Sequence, residues 1–166
     1  MEEAQSDRVA VIVSAALLDE GLTAAIQTKL HKDKAVIEKL FRPSGPLGSF
    51  SSKIDLGFAM GLYSKEIYAD LVTIKNIRNE FAHGTKTKNL ETQRMRDLCN
   101  NLRSYSRNFM IRGVHRKDKI KPQRIFPKLD KASPTHLRER YVRTCQVLLL
   151  FFGLFLSRRR PAKPSF

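Results

Sequence analysis

The stretch SKEIYADLVTIKNIRNEFAH, residues 64–83, decides the fold class because its apolar residues recur at the three-and-four spacing of one helical face. This stripe consists of Ile67, Leu71, Ile74 and Phe81. Gly84 follows as a helix-ending residue. The spacing therefore predicts a helix from Ser64 to His83 that packs one face against a core.

Similar periodicity on both sides of this stretch predicts further helices. Their predicted ranges are 6–30, with Ser6 or Asp7 as the N-cap, then 34–41, 51–60, 89–109 and 133–156. Residues 43–48 are rich in proline and glycine and predict a loop, and Gly61 predicts a C-terminal cap. Residues 110–127 allow at most a short β-hairpin. The sequence thus predicts an all-α, single-domain helical bundle of five or six helices over residues 5–157.

Positive charge is concentrated in the second half of the chain. Residues 1–90 hold 12 Lys and Arg against 11 Asp and Glu, whereas residues 91–166 hold 19 against 5. We expect a basic arm or long loop at 112–131 and a disordered basic tail at 158–166. Such a field attracts nucleic acid, acidic lipid surfaces or acidic proteins, although it also serves solubility alone.

The arm and its approach interleave cations with aromatic residues, which is the pattern that holds single-stranded nucleic acid. The predicted residues for binding nucleic acid or an acidic protein partner are Arg103, Arg107, Arg112, Arg116, Lys117, Lys119, Lys121 and Arg124. The interleaved aromatic residues are Tyr105, Phe109 and Phe126. The alternative is a solvated loop without a ligand.

Several protein classes are disfavoured by the sequence. Cys99 and Cys145 lie inside helical patterns and predict reduced, packed thiols. The histidines lack the spacing of a metal site, so we expect no metal and no cofactor. The acidic N-terminus is not a signal peptide, and the apolar run of residues 147–156 is too short to cross a membrane. We therefore expect a cytoplasmic protein without a membrane partner.

The run PLGSFSSKIDLGFAMGL at residues 46–62 resembles the mannitol operon repressor family of bacterial regulators. The resemblance continues through YADL at 68–71, IKNIRNEFAH at 74–83 and DLCNNL at 97–102. It implies a helical regulator that reduces transcription of a sugar-alcohol uptake operon. Because no helix-turn-helix pattern is present, regulation through nucleic acid and regulation through a protein partner both remain open. We expect a homodimer.

Part of the same segment also resembles the HEPN ribonucleases of toxin and antiviral systems, through Arg78, Asn79 and His83. Histidine would transfer protons during attack by the RNA 2′-hydroxyl, and arginine would neutralise the phosphorane. In that group two protomers face each other to complete one site. The alternative function is therefore a metal-independent endoribonuclease or toxin.

Helix geometry bears on this pair of residues. At about 100° per residue, Arg78 falls within ~20° of Ile67, and His83 lies ~160° away from it. A charge inside an apolar stripe requires a partner or an interface, so a structural reading gives Arg78 a buried ion pair with Asp55 or Asp97. For His83, the structural reading is a favourable charge at the C-terminus of its helix.

Overall fold

The computed structural model of the chain describes residues 2–83, 89–105 and 136–157. These residues form six helices and contain no strand, which confirms the all-α class and the single helical bundle. The helices are α1 (Glu2–Gln27), α2 (Lys34–Phe41), α3 (Phe50–Ala59), α4 (Lys65–His83), α5 (Gln93–Asn101) and α6 (Leu137–Ser157). The predicted arm, the possible hairpin and the predicted tail lie outside the described residues.

Local capping residues set the ends of the short helices. The Asp33 side chain accepts the backbone N–H of Val36 at 3.0 Å and begins α2. Ser49 begins α3 in the same way, accepting the N–H of Ser52 at 3.0 Å. After α3 the chain turns at Gly61, whose φ of 67° lies in the left-handed region, as predicted for a C-terminal cap.

Helix α1 differs from its predicted bounds at both ends. It begins at Glu2, so Asp7 lies inside the helix and does not cap it. The carboxylate of Asp7 is buried and instead pairs with Arg138 on α6, with Nε and Oδ1 3.1 Å apart. At the other end α1 stops at Gln27, because the next residues form hydrogen bonds to the carbonyl three residues earlier. The N–H of Lys29, for example, donates to the carbonyl oxygen of Ile26.

Helix α5 is shorter than the predicted 89–109 at both ends, and at its C-terminal end a buried carboxylate takes up the backbone N–H groups. The N–H of Leu90, before the helix, donates to Asp7 Oδ2 at 3.0 Å. After the helix, the N–H groups of Arg103 and Ser104 donate to Asp70 on α4. The N–H groups of Arg103 and Ser104 are therefore unavailable for helical bonds, which limits the C-terminal end of α5, Gln93–Asn101.

The core forms where α1 and α6 pack side by side and α4 covers them. Contacts from Asp7 to Arg138, from Val11 to Tyr141 and from Gly21 to the Leu149 side chain show that α1 and α6 run parallel. A Cβ on Gly21 would lie 2.5 Å from Leu149 Cδ1, so glycine permits this close approach. Completely buried side chains from the three helices fill the centre: Leu18, Leu22, Ile26, Ile67, Ile74, Phe81, Tyr141, Leu148 and Phe152.

The two most apolar helices differ in how they are buried. The run at 147–156 belongs to α6, where Leu148 and Phe152 are fully buried, as predicted for a core helix. Helix α1 is long and apolar enough between Ala4 and Gln27 to cross a membrane by length and composition alone. One third of its most apolar window, 33%, is buried inside the bundle. Core helices of soluble proteins pass the same test of composition.

Both cysteines are packed and free, as predicted. Cys99 lies on α5 and Cys145 on α6, and both side chains are buried. Burial raises the pKa of the Cys99 thiol to about 12, and it raises the pKa of Cys145 further. Both thiols therefore remain protonated at neutral pH, which makes them poor nucleophiles.

Candidate nucleic-acid interface

Residues 103–105 form a stem that leads from α5 toward the predicted basic arm. Asp70 attaches this stem to α4. This carboxylate is 2% exposed and accepts the N–H of Ser104 at 2.7 Å and that of Arg103 at 3.1 Å. Burial raises the pKa of Asp70, and hydrogen bonds from Ser104 and Arg103 oppose this rise. The backbone of the stem is thus held inside the bundle while the Arg103 side chain stays exposed.

Helix α6 holds the same stem from its other side. The guanidinium of Arg140 lies over the ring of Tyr105, 4.7 Å from the ring centroid, in a cation–π contact. Nη1 of Arg140 also donates to the carbonyl oxygen of Asn100, at the C-terminal end of α5, at 3.2 Å. Arg140 therefore ties the end of α5 and the stem to the first turns of α6.

The two points of the bundle that flank the predicted arm lie close together. Residues 106–135, which include the predicted arm at 112–131, connect Tyr105 to His136, and Arg140, which covers Tyr105, lies one turn beyond His136. The intervening residues 106–135 hold nine Lys and Arg against two Asp. A strongly basic segment is therefore attached at both ends to one location on the bundle.

Of the predicted binding residues, the structure places one. Arg103 is exposed at the stem. The others lie outside the described residues: Arg107, Arg112, Arg116, Lys117, Lys119, Lys121 and Arg124.

The predicted ribonuclease residues occupy the last two turns of α4. Arg78 is exposed and donates from Nη1 to Oδ1 of Asn79 at 3.1 Å. His83 is the last residue of α4 and is also exposed. Within the described ranges no hydrogen bond joins Arg78 to His83, as the angle of about 140° between positions five apart on a helix leads one to expect.

The expected buried ion pair of Arg78 is not formed. Asp55 instead accepts the hydroxyl of Tyr68 at 2.9 Å, and Asp97 accepts Nε2 of Gln93 at 2.8 Å, both in exposed positions. On an ideal helix Arg78 lies between the buried Ile67 and Leu71, yet the residue is exposed near the C-terminal end of α4. From there the long side chain carries its guanidinium into solvent.

Sequence reasoning missed the charged residues that are in fact buried. Besides Asp7 and Asp70, Lys53 on α3 is buried and forms an ion pair with Asp19 of α1, with Nζ also bonded to Thr23 Oγ1 at 3.0 Å. A usable signal existed for Asp70. It lies three residues after Ile67 and four before Ile74, within the apolar stripe of the quoted stretch.

Within the described residues, no group of three His, Cys, Asp or Glu side chains is close enough to hold a metal ion. The candidate site thus has two parts. One is the basic segment 106–135 that follows the stem, and the other is the polar surface of Arg78, Asn79 and His83 at the end of α4.

The family model described as mannitol repressor matches residues 1–150. No curated protein and no solved structure matches the chain. Because the family model spans nearly the whole chain, the protein belongs to the mannitol repressor family.

Proposed function

We propose that this repressor-type regulator acts in the cytoplasm, where its basic arm binds nucleic acid and thereby reduces transcription of a sugar-alcohol operon. The observation that carries the proposal is that Asp70 on α4 and Arg140 on α6 both hold residues 103–105, so that Tyr105 and the first turns of α6 lie together at one end of the bundle. The basic residues 106–135 connect these two points.

The charge distribution supports the arm as the binding element. The described residues hold 16 Lys and Arg against 14 Asp and Glu, a net charge of +2, out of +15 for the chain. The bundle is therefore nearly neutral, and residues 106–135 alone contribute +7. A polyanion is thus attracted mainly to the segments that the bundle carries and only weakly to the bundle itself.

The aromatic residues favour nucleic acid over an acidic protein as the partner. Tyr105 sits at the stem beside Arg140, and Phe109 and Phe126 follow within the basic segment. Bases stack on aromatic side chains while cations neutralise phosphates, whereas an acidic peptide uses the cations alone. Phosphate contacts position a protein without reading sequence, so the proposal assigns affinity to the arm.

Titration of a fluorescent DNA or RNA fragment at several salt concentrations tests the proposal. We expect replacement of Arg116, Lys117, Lys119 and Lys121 by Ala to weaken binding and to flatten the slope of log K against log salt. The slope should change by up to about 3.6 on duplex DNA or about 2.8 on a single strand, since each neutralised phosphate contributes about 0.9 or 0.7. Polyglutamate serves as the acidic-protein probe.

The matched control removes the same charge at the other end of α1 from the Asp7–Arg138 pair, by replacing Lys32, Lys34, Lys39 and Arg42, all exposed, with Ala. We expect this variant to keep the wild-type slope. Equal flattening in both variants would show a diffuse charge effect and contradict the proposal. Binding to polyglutamate with none to nucleic acid would favour a protein partner instead.

A further inference from the structure

Helix α1 carries an apolar stripe on the side that faces away from the bundle. Val9, Val13 and Leu17 are 57%, 51% and 48% exposed, and they follow one another at four-residue spacing. The opposite side of the same helix, with Val11, Leu18 and Leu22, is completely buried. An aligned row of exposed aliphatic side chains on one helix is typical of a contact surface.

We infer that this outer stripe, Val9, Val13 and Leu17, is the contact surface between two copies of the chain, whose α1 helices pack antiparallel about a two-fold axis at Val13. In a two-fold interface the same patch serves both partners. Val13 then meets Val13 of the second copy, and Val9 meets Leu17 on each side of the axis.

Charges at the two ends of the stripe support the antiparallel arrangement. Glu20 is exposed, seven residues beyond Val13 and thus about 10 Å away along the helix. Ser6 lies equally far in the other direction, and its hydroxyl oxygen accepts a hydrogen bond from Nη2 of Arg138. An antiparallel pair therefore places Glu20 of each copy beside Arg138 of the other, whereas a parallel pair would place Glu20 against Glu20.

Arg138 is already positioned for this contact. Its Nε is 3.1 Å from Asp7 Oδ1, and its side chain is 40% exposed beside the stripe. The groove at this end is lined by Glu2, Gln5, Ser6, Val9, Ala10 and Arg138. The Leu17 side chain of the second copy, which opposes Val9, enters this groove. The guanidinium of Arg138 thus keeps its ion pair with Asp7 and presents its outer edge to Glu20 of the second copy.

The flanking charges also favour a protein partner over a lipid surface. Glu2 and Glu20 are exposed on the same side of α1 as the stripe, which spans only three large apolar residues. Anionic headgroups would repel both carboxylates, and helices that lie on membranes usually carry Lys and Arg at their polar edge.

Analytical ultracentrifugation of the full chain, with and without substitutions, tests the inference. We expect the wild type to sediment as a dimer and Val13→Arg as a folded monomer with a cooperative thermal melt, since the position is exposed; its melting temperature should fall only by the stabilisation that dimerisation adds. Val36→Arg is the matched control, because Val36 on α2 is also a valine and is 52% exposed. It should remain a dimer. Glu20→Lys should weaken dimerisation by about tenfold or more, since it faces Arg138 with a like charge.

Cysteine cross-linking tests the register. The native Cys99 and Cys145 are buried and do not compete. Under oxidation we expect the cysteine of Val13→Cys to form a disulfide with the same cysteine of a second copy. When the Val9→Cys and Leu17→Cys proteins are mixed, we expect a disulfide between them. Val36→Cys should form neither.

Three results would overturn the inference. They are a monomeric wild type, a Val13→Arg protein that keeps the dimer mass, and cross-linking of Val36→Cys as efficient as that of Val13→Cys. Flotation of the wild type with anionic vesicles, lost in Val13→Arg, would likewise assign the stripe to a membrane and overturn the inference.

Discussion

The two ends of α5 are held by buried carboxylates that obtain their partners differently. Before α5, Asp7 divides its oxygens between the guanidinium of Arg138 and the N–H of Leu90. After α5, Asp70 accepts the backbone N–H groups of Ser104 and Arg103. A buried charge stabilised by backbone dipoles depends on one conformation of the chain, whereas one paired with a flexible side chain tolerates adjustment. The stem of the basic arm is on the more constrained side.

The largest effect is expected from Asp70→Ala. Removal of the carboxylate leaves two backbone N–H groups without an acceptor, and hydrogen bonds to charged groups contribute about 1.5–3 kcal/mol each, so the free energy of unfolding should fall by roughly 3–4 kcal/mol. Urea denaturation measures this loss. Asp55→Ala is the control, because Asp55 is exposed and accepts one hydroxyl. A loss no larger than that of the control would contradict the anchoring role of Asp70.

Asp7→Ala should have a smaller effect, about 2 kcal/mol, since the N–H of Leu90 loses its acceptor while Arg138 is part-exposed and is solvated when unpaired. Thermal melts compared with those of Asp70→Ala test the order of the two losses. If Asp7→Ala proved the more destabilising of the two, the comparison between the ends of α5 would be reversed.

The pH dependence of Asp70 is a third test. Burial raises its folded-state pKa above the usual range, so the folded protein binds this proton more tightly than the unfolded chain does. The protonation-dependent part of its contribution to stability is present at low pH and is lost as the pH rises through the folded-state pKa, whereas the hydrogen bonds from Ser104 and Arg103 remain. We therefore expect the destabilisation by Asp70→Asn, measured by urea denaturation, to grow as the pH is lowered from 7 toward about 4. A destabilisation that shrinks over this range would refute the assignment.

Arg78 provides the reference for a charge that is exposed. Since its guanidinium reaches solvent and bonds to Asn79, Arg78→Ala should change the free energy of unfolding by less than about 0.5 kcal/mol, and His83→Ala should behave similarly. A loss near that of Asp70→Ala would restore the buried ion pair inferred from the sequence.

The same two variants test the ribonuclease alternative. We expect single-stranded RNA to remain intact with the wild type in EDTA, because Arg78 and His83 point along different sides of α4. RNA cleavage by the wild type that both variants lose would establish the alternative and contradict this expectation.

The sequence by itself determined the helical class and most helix positions. Helix α2 has its predicted bounds, and α4 starts one residue after the predicted Ser64. The physical reason is that periodicity, Asp33 and Ser49 as caps, and Gly61 as a terminator all act within a few residues along the chain. The sequence also indicated the mannitol repressor family, through the segments 46–62, 68–71, 74–83 and 97–102. The family model, which matches residues 1–150, confirms this prediction.

Only the tertiary structure decided which partners the buried charges have and where α5 ends. The bond from Leu90 to Asp7 spans 83 positions, and the bond from Ser104 to Asp70 spans 34. No local pattern encodes such partners, so Asp7 was predicted as a cap and Arg78 as a core charge. The tertiary structure likewise separated the two sides of α1, because an apolar helix does not indicate by itself which of its faces meets α6 and which, at Val9, Val13 and Leu17, faces outward.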